Sequence, residues 1–259
     1  MIDDFSSLKS ELLERSGFRH AFFTRRGGVS EGPYASLSFS LAVGDAAEHV
    51  AENLRRAGSV LGVPAERIYY LSQVHGRTSH VADESQLAES FVRREGDAVI
   101  ALRGRLACGV RSADCVPVLV ADRETGAVAA IHAGWRGVVA RVVPETISAL
   151  REKSGDFSHL LAAIGPHISA AAFEVSPEVA TQLAGSSSAK NVVLDGSKGR
   201  PHVDLRRIVR AQLLEAGVPE PSIDDVFGCT VTDPERFFSF RRDGGKSGRH
   251  LSAIVPRVD

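Results

Sequence analysis

The sequence predicts a mixed α and β fold, and three observations lead there. Apolar, strand-like runs alternate with segments of helical periodicity, no low-complexity linker separates them, and no repeat of fixed period recurs. The 259 residues are 43% hydrophobic and 24% charged, which supplies one large domain with a sizeable core and does not require two.

The elements follow in order. Residues 20–34, HAFFTRRGGVSEGPY, begin as a short apolar run and break into a Gly/Pro-rich loop, so Arg25 and Arg26 leave a strand end for an irregular segment of the kind that lines sites. Residues 45–62, DAAEHVAENLRRAGSVLG, put Val50, Leu54, Ala57 and Leu61 at helical spacing, with Asp45 as N-cap and Gly62 as terminator. The runs RIYYLSQV, DAVIAL, LACGVRSA, VPVLVAD and AVAAIH come next, separated by Gly, Asp and charged breaks, and predict strands of a sheet with at least one buried face. Residues 138–153 have helical spacing that Pro144 must kink or interrupt, and HLLAAIGP predicts a further strand. Ser176-Pro177 opens a helix, serine as cap and proline at the first helical position. Residues 203–217, VDLRRIVRAQLLEAG, carry Leu205, Ile208, Val209, Gln212 and Leu213 on one face and stop at Gly217. Between these helices LAGSSSAKNVVLDGSKGRPH holds Ser/Gly-rich turns around one short strand, with mobile tips expected.

Charge and composition exclude several function classes. A formal charge of −1 leaves no broad basic face for nucleic acid or an anionic membrane, although a local basic pocket is allowed. The N-terminal MIDDFSSLKSELLERSG lacks the basic start and apolar run of a secretory signal, and no stretch approaches a membrane span. Three cysteines, Cys108, Cys115 and Cys229, fit a reducing compartment better than a disulfide framework, so a cytoplasmic protein is expected.

The chemistry concentrates in three places. His75 lies between an apolar strand and Gly76, Cys115 follows Asp114 at the start of a strand, and His132 ends the next strand before AGWRG. They stand 40 and 17 positions apart, too far for a compact zinc-finger pattern, so only the fold can assemble them. If the strand ends meet, two imidazoles and one thiolate make a three-donor zinc site with an open fourth position. The plain alternative for a cysteine in an apolar strand is a small core residue, and Cys108 and Cys229 are read that way. Of the other histidines, His167 and His250 are the two to follow. In HAGWRG, a glycine-bracketed Trp-Arg pair between strand and helix offers backbone N–H groups and Arg136 to an anion; the alternative is a tight turn with Trp135 packed on the core. Near the C-terminus RFFSFRRDGGKSGRH alternates Phe237, Phe238 and Phe240 with polar positions and gives way to Arg241, Arg242, Lys246 and Arg249, suited to a phosphate plus a flat ring; the alternative is an edge strand and a solvated basic loop.

FTRRGGVSEGPYASL, VGD, QVHG, SADCVPVLVAD, IHAGWRG, IGPHISAAAFEV and FFSFRRDGGKSGRH occur in the order seen in the YfiH-like family, also described as laccase-domain, peptidoglycan-editing-factor or purine nucleoside phosphorylase proteins. The chain resembles that family over almost its whole length. The resemblance implies residues 1–259 as one catalytic domain of α+β class, an α/β sandwich of mixed sheets flanked by helices. It implies a zinc site, copper being the less favoured metal, on His75, Cys115 and His132, which would also be the catalytic residues. It further implies phosphorolysis of adenosine, inosine, guanosine and methylthioadenosine, with phosphate as co-substrate and adenosine deamination as a further activity. Arg25, Arg136, Arg241 and Arg249 are then the candidate anion clamps and Phe238 the candidate ring to pack on the base. Nucleoside and phosphate are the expected partners, with no nucleic acid and no membrane, and a monomer is favoured. Two positions depart from the family's usual pattern: after YASL it commonly has Asn and then His, where this chain has Ser38 and Ala42. Two rival classes remain. A cysteine hydrolase or amidase acting on a peptidoglycan precursor would take Cys115 as nucleophile with His132 or His75 as base. A copper-dependent polyphenol oxidase would need clustered histidine-rich copper sites.

Overall fold

The structure, a computed structural model, describes residues 7–154, 159–196 and 199–257. Residues 1–6, the start of the segment compared above with a secretory signal, and residues 197–198 of the Ser/Gly-rich segment lie outside them. In chain order the elements are β1 (Ser7–Leu8), α1 (Glu11–Arg15), β2 (His20–Phe23), α2 (Ala47–Leu61), β3 (Ile68–Tyr69), β4 (Ser79–Val81), α3 (Ala88–Phe91), β5 (Ala98–Ala101), β6 (Ala107–Ser112) and β7 (Val116–Asp122). There follow β8 (Val128–Ala133), α4 (Trp135–Val139), α5 (Val142–Ser154), β9 (Leu160–Ile164), α6 (Pro177–Ala184), β10 (Val193–Leu194), β11 (His202–Val203), α7 (Leu205–Glu215), β12 (Ile223–Asp225) and β13 (His250–Ile254).

Two mixed sheets carry the fold. One has the order β1-β2-β13-β6-β3 and the other β12-β9-β7-β8-β5-β4, with β10 and β11 paired separately. Strand alternation explains the layering, because successive side chains point to opposite faces. On β7, Val116, Val118 and Val120 join Ile147, Leu150, Ile208 and Val209 in the core beneath α5 and α7. Leu119 and Ala121 face the other way and meet Tyr69, Cys108 and Val110 of the five-stranded sheet. The far face of that sheet, with Ala21, Phe23 and Ile68, packs on Ala57 and Leu61 of α2. The layers therefore run helix, sheet, sheet, helices, an α/β sandwich of mixed sheets.

Several sequence expectations meet a local correction. The helix expected from Asp45 begins at Ala47, because the Asp45 carboxylate accepts from Ser30 Oγ at 2.7 Å and from the Ala46 N–H at 2.9 Å instead of capping. The expected long strand RIYYLSQV shrinks to Ile68–Tyr69. There the Gln73 side-chain amide takes over the ladder, donating to Arg111 O at 2.6 Å and accepting from Arg111 N at 2.7 Å, which frees residues 74–76 to turn. The helical stretch around Pro144 is two helices, with Arg141 at φ 63° between them. Proline then falls on the third residue of α5, where a missing N–H breaks no helical hydrogen bond. Ser176 caps α6 and accepts from the Val179 N–H at 3.4 Å, with Pro177 first in the helix. The predicted face of α7 is buried, and Asp204 caps it.

Candidate metal centre and cavity

Each of the three donors reaches the centre from a different connection. His75 lies in the turn after β3, Cys115 in the crossing from β6 to β7, and His132 near the end of β8. Their donor atoms all lie within 4.8 Å of one another, and Cys115 Sγ is 3.8 Å from His75 Nε2. Zinc–nitrogen and zinc–sulfur bonds of about 2.0 and 2.3 Å at a tetrahedral angle would separate the two donors by about 3.5 Å, close to the spacing of this pair. His132 is 3% exposed and its Nδ1 lies 2.8 Å from Asp97 Oδ1, which leaves Nε2 for a metal. Burial alone would raise the Cys115 thiol, but the adjoining His132 outweighs it, with hydrogen bonds from both histidines, and pulls it down to about 6. Burial works against a charged His132, yet the Cys115 thiolate and Asp97 raise it to about 9. Thiolate character is what both a metal ligand and a sulfur nucleophile require.

Backbone strain gathers here. Two of the non-glycine residues with positive φ are His75 at 61° and Asp114 at 87°, next to Cys115. Asp114 is held there by its carboxylate, which accepts from Thr230 Oγ1 at 2.6 Å and from the Arg241 N–H at 2.7 Å, tying the C-terminal loop to the donor set. Gly134 stands at the N-cap of α4, where nothing larger fits: a Cβ there would lie 2.4 Å from His75 Cδ2 and 3.1 Å from Cys115 Sγ. The glycine in HAGWRG thus serves close approach of the helix to the donors.

The centre opens into a cavity of about 580 Å³, within the roughly 300–1,000 Å³ usual for small-molecule sites. Arg136, Arg241 and Arg249 line it as expected from sequence, and so does Arg111, which sequence reasoning missed. Their hydrogen bonds go to carbonyls and a hydroxyl and their planes to rings: Arg111 to Leu71 O, Arg241 to Glu174 O, Arg249 to Ser247 O, Arg136 over Trp135 at 4.5 Å. None of the four makes an ion pair with a carboxylate among the described residues, so four positive charges face one cavity. Burial lowers the guanidinium pKa of Arg111 and of Arg249, and at Arg249 the Cys115 thiolate and the Asp114 carboxylate in the same cavity wall work against that lowering.

Two expected site residues stand elsewhere. Arg25 donates to Ala35 O at 2.8 Å and Pro234 O at 2.9 Å and lies 4.6 Å from the Phe238 ring centre. Phe238 is 0% exposed and packs on His250, so it does not line the cavity, where the aromatic rings are Phe240, 54% exposed, Phe173 and Trp135. The phenylalanine-rich run makes turns, with no strand, and so its alternation did not tell which ring faces in. Ser38 is buried with Oγ accepting from the Arg249 N–H at 3.3 Å, while Ala42 presents a methyl group to the cavity. His167 and His250 are buried and hydrogen-bonded, to Gly165 O and to Ser112 O and Phe238 N, away from the cavity wall. Cys108 is fully buried, as read. Cys229 is half-buried and donates to Ser169 Oγ at 3.1 Å, which is more contact with polar groups than a core cysteine has.

A layered α/β sandwich with a two-imidazole, one-thiolate donor set opening into a cavity lined by four arginines defines a class: a pocket protein whose donor set suggests a metal. The family described as multi-copper polyphenol oxidoreductase laccase matches residues 19–257. Among curated proteins, the chain is 37% identical over 252 residues to the purine nucleoside phosphorylase of Bacteroides thetaiotaomicron, covering 94% of this chain and 93% of that one. It is 35% identical over 235 residues to the purine nucleoside phosphorylase YfiH of Escherichia coli, covering 89% and 90%. Among solved structures, YlmD from Geobacillus stearothermophilus superposes with a TM-score of 0.86 at 32% identity over 92% of each chain. YfiH of Bacillus licheniformis does so with 0.91 at 27% identity over 99% of this chain and 98% of that one. The chain belongs to the YfiH-like, laccase-domain family.

Proposed function

We propose that the chain is a zinc-dependent purine nucleoside phosphorylase, acting on adenosine, inosine, guanosine and methylthioadenosine and also deaminating adenosine. One observation carries the reading: a three-donor metal set and four arginines without carboxylate partners face the same cavity. Relatives named purine nucleoside phosphorylase, 35–37% identical over most of both chains, support the substrate class. In phosphorolysis a phosphate oxygen attacks the anomeric carbon, the glycosidic bond breaks, and its electron pair leaves with the purine nitrogen, which takes up a proton. The chain must therefore hold a polyanion against the sugar and keep the base oriented while it departs. Arg136, Arg241 and Arg249, joined by Arg111, would clamp phosphate, and Phe240, Phe173 and Trp135 give the base flat surfaces. Bound by His75, Cys115 and His132, zinc would supply Lewis-acid polarisation of an oxygen and a lowered pKa for water. Among the described residues one such donor group is found, and one thiolate with two imidazoles suits a single zinc better than a multinuclear copper cluster. We read residues 1–259 as one catalytic domain in a cytoplasmic protein; no helix among the described residues is long and apolar enough to cross a membrane.

Incubation with adenosine, with and without phosphate, followed by chromatography, tests the reading. Adenine and ribose 1-phosphate formed only with phosphate establish phosphorolysis, and inosine formed without phosphate establishes deamination. The acidic Cys115 beside His132 favours one second reading, a cysteine amidase on a peptidoglycan precursor. Cleavage of that precursor, blocked by thiol alkylation in protein free of metal, with neither nucleoside product formed, would select it.

A further inference from the structure

Asp97 immediately precedes β5 and is 0% exposed, yet no lysine or arginine balances its charge among the described residues. Its two oxygens instead receive four N–H groups. Oδ1 accepts from His132 Nδ1 at 2.8 Å and from the His75 backbone at 2.9 Å; Oδ2 accepts from the Gly76 backbone at 2.6 Å and from Val74 at 3.3 Å. The Asp97 peptide continues the same work, its N–H donating to Thr78 O at 2.9 Å and its C=O accepting from the His132 N–H at 2.8 Å.

These bonds reach two of the three donors by different routes. At His75 they act on the backbone: three successive N–H groups converge on one carboxylate and hold a histidine at φ 61°, a conformation that a side-chain-bearing residue adopts rarely unless it is held. At His132 they act on the ring, fixing its rotation and placing the proton on Nδ1 so that the Nε2 lone pair points at the other donors. We infer that Asp97 is a positioning residue for the metal centre, one carboxylate setting the backbone of one histidine donor and the ring of the other. The inference rests on the metal reading of His75, Cys115 and His132.

Asp97→Asn is the discriminating change because it keeps size and shape and removes acceptor capacity at one atom. With the amide nitrogen toward Gly76 and Val74, donor meets donor and the His75 turn loosens; with it toward His132, the ring must accept at Nδ1 and carry its proton on Nε2, the atom meant for metal. Either orientation spoils one donor.

Zinc affinity is read by competition with a chromogenic chelator in wild type and variant, together with the visible spectrum of the cobalt-substituted proteins. The variant is expected to bind zinc about 10- to 100-fold more weakly and to show an altered cobalt spectrum. Affinity within twofold of wild type with the same cobalt spectrum overturns the role of Asp97 while leaving the metal reading intact. Failure of the wild type to bind zinc overturns both. Should the variant not fold, the zinc-loaded wild type gives the answer by itself: nitrogen-15 correlation spectra are expected to show His132 protonated on Nδ1, and ligation through Nδ1 overturns the inference.

Discussion

Replacing Gly134 with alanine should disable the metal centre while leaving the fold standing. The Gly134 backbone has φ −69° and ψ 161°, which alanine adopts freely, so the substitution carries no conformational penalty of its own. All its effect comes from the new methyl group, which would lie 2.4 Å from His75 Cδ2 and 3.1 Å from Cys115 Sγ. Carbon atoms rest about 3.5–4.0 Å apart, so the His75 ring must withdraw by roughly 1.1–1.6 Å. Its backbone is pinned in the left-handed turn, and the ring escapes only by swinging away from the other donors. Overpacking of this kind costs about 1–3 kcal/mol, which for a chain of this length lowers Tm by roughly 2–6 °C. Displacing a catalytic group by an ångström costs about 100-fold in rate, and a donor set so displaced loses metal as well. Calorimetry, metal content after dialysis and nucleoside turnover measure the three quantities separately. Gly185→Ala is the control, since a Cβ there would meet only Thr181 O at 3.6 Å and Gln182 O at 3.8 Å. Full zinc content and wild-type turnover in Gly134→Ala would refute the argument that the helix start is shaped by the donors.

Cys115→Ala should lose the metal and at least about 100-fold of turnover while melting within a few degrees of wild type, because a half-buried residue at a cavity wall holds little core together; retained zinc and turnover count against it as a ligand. Arg249→Lys replaces a planar fork with a point charge and should raise the KM for phosphate about 10- to 100-fold while deamination falls less; equal losses in both reactions would put Arg249 on the nucleoside. Acid should destabilise the fold through two buried histidines, since burial pushes His167 down to about 4 and His250 to about 3. Unfolded histidine takes up its proton near 6.5, so from about pH 6.5 down to about pH 4 the unfolded chain holds up to two more protons than the folded one from these groups. Stability is lost as pH falls, by up to about 1.4 kcal/mol per unit per histidine. Urea unfolding at several pH values should show His250→Gln with a slope shallower than wild type by about one proton, and an unchanged slope would refute the assignment.

What could be read from sequence and what could not differ for physical reasons. The amphipathic α7 and the cap of α6 were legible because local periodicity and a Ser-Pro pair dictate them whatever the surroundings. The donors His75, Cys115 and His132 were legible as residues, each beside a glycine, an aspartate or a strand end, although their convergence is a property of the fold. Arg111 was missed because it sits in a strand whose alternation reads as core, and only the structure shows its guanidinium beside Tyr70 at the cavity. Asp97 looked like a break between strands in GDAVIAL, and nothing in its neighbours signals four N–H partners drawn from two distant segments. Phe238 and Phe240 are two residues apart in irregular chain, where neither a period of two nor one of 3.6 applies, so composition could name a ring but not which one faces the cavity.

The donors' places in the topology explain why their sequence spacing is uninformative. His75 leaves the five-stranded sheet on the way to β4 of the six-stranded sheet, and Cys115 lies in the short crossing from β6 of the first to β7 of the second. His132 lies one residue before the end of β8, beside β7, so the crossing strand brings Cys115 to it. The separation of the donors is therefore set by how the two sheets pack, through Leu119, Val110 and Tyr69, and not by any loop length. A centre built this way needs devices to correct the residual freedom of each crossing. The Gln73 amide on Arg111, the left-handed Asp114 bound to Thr230 and the Asp97 carboxylate each tie one donor-bearing connection to its neighbour. Those ties are polar and at least partly buried, so breaking one leaves an unpaired group away from water, and the geometry they impose is correspondingly stiff.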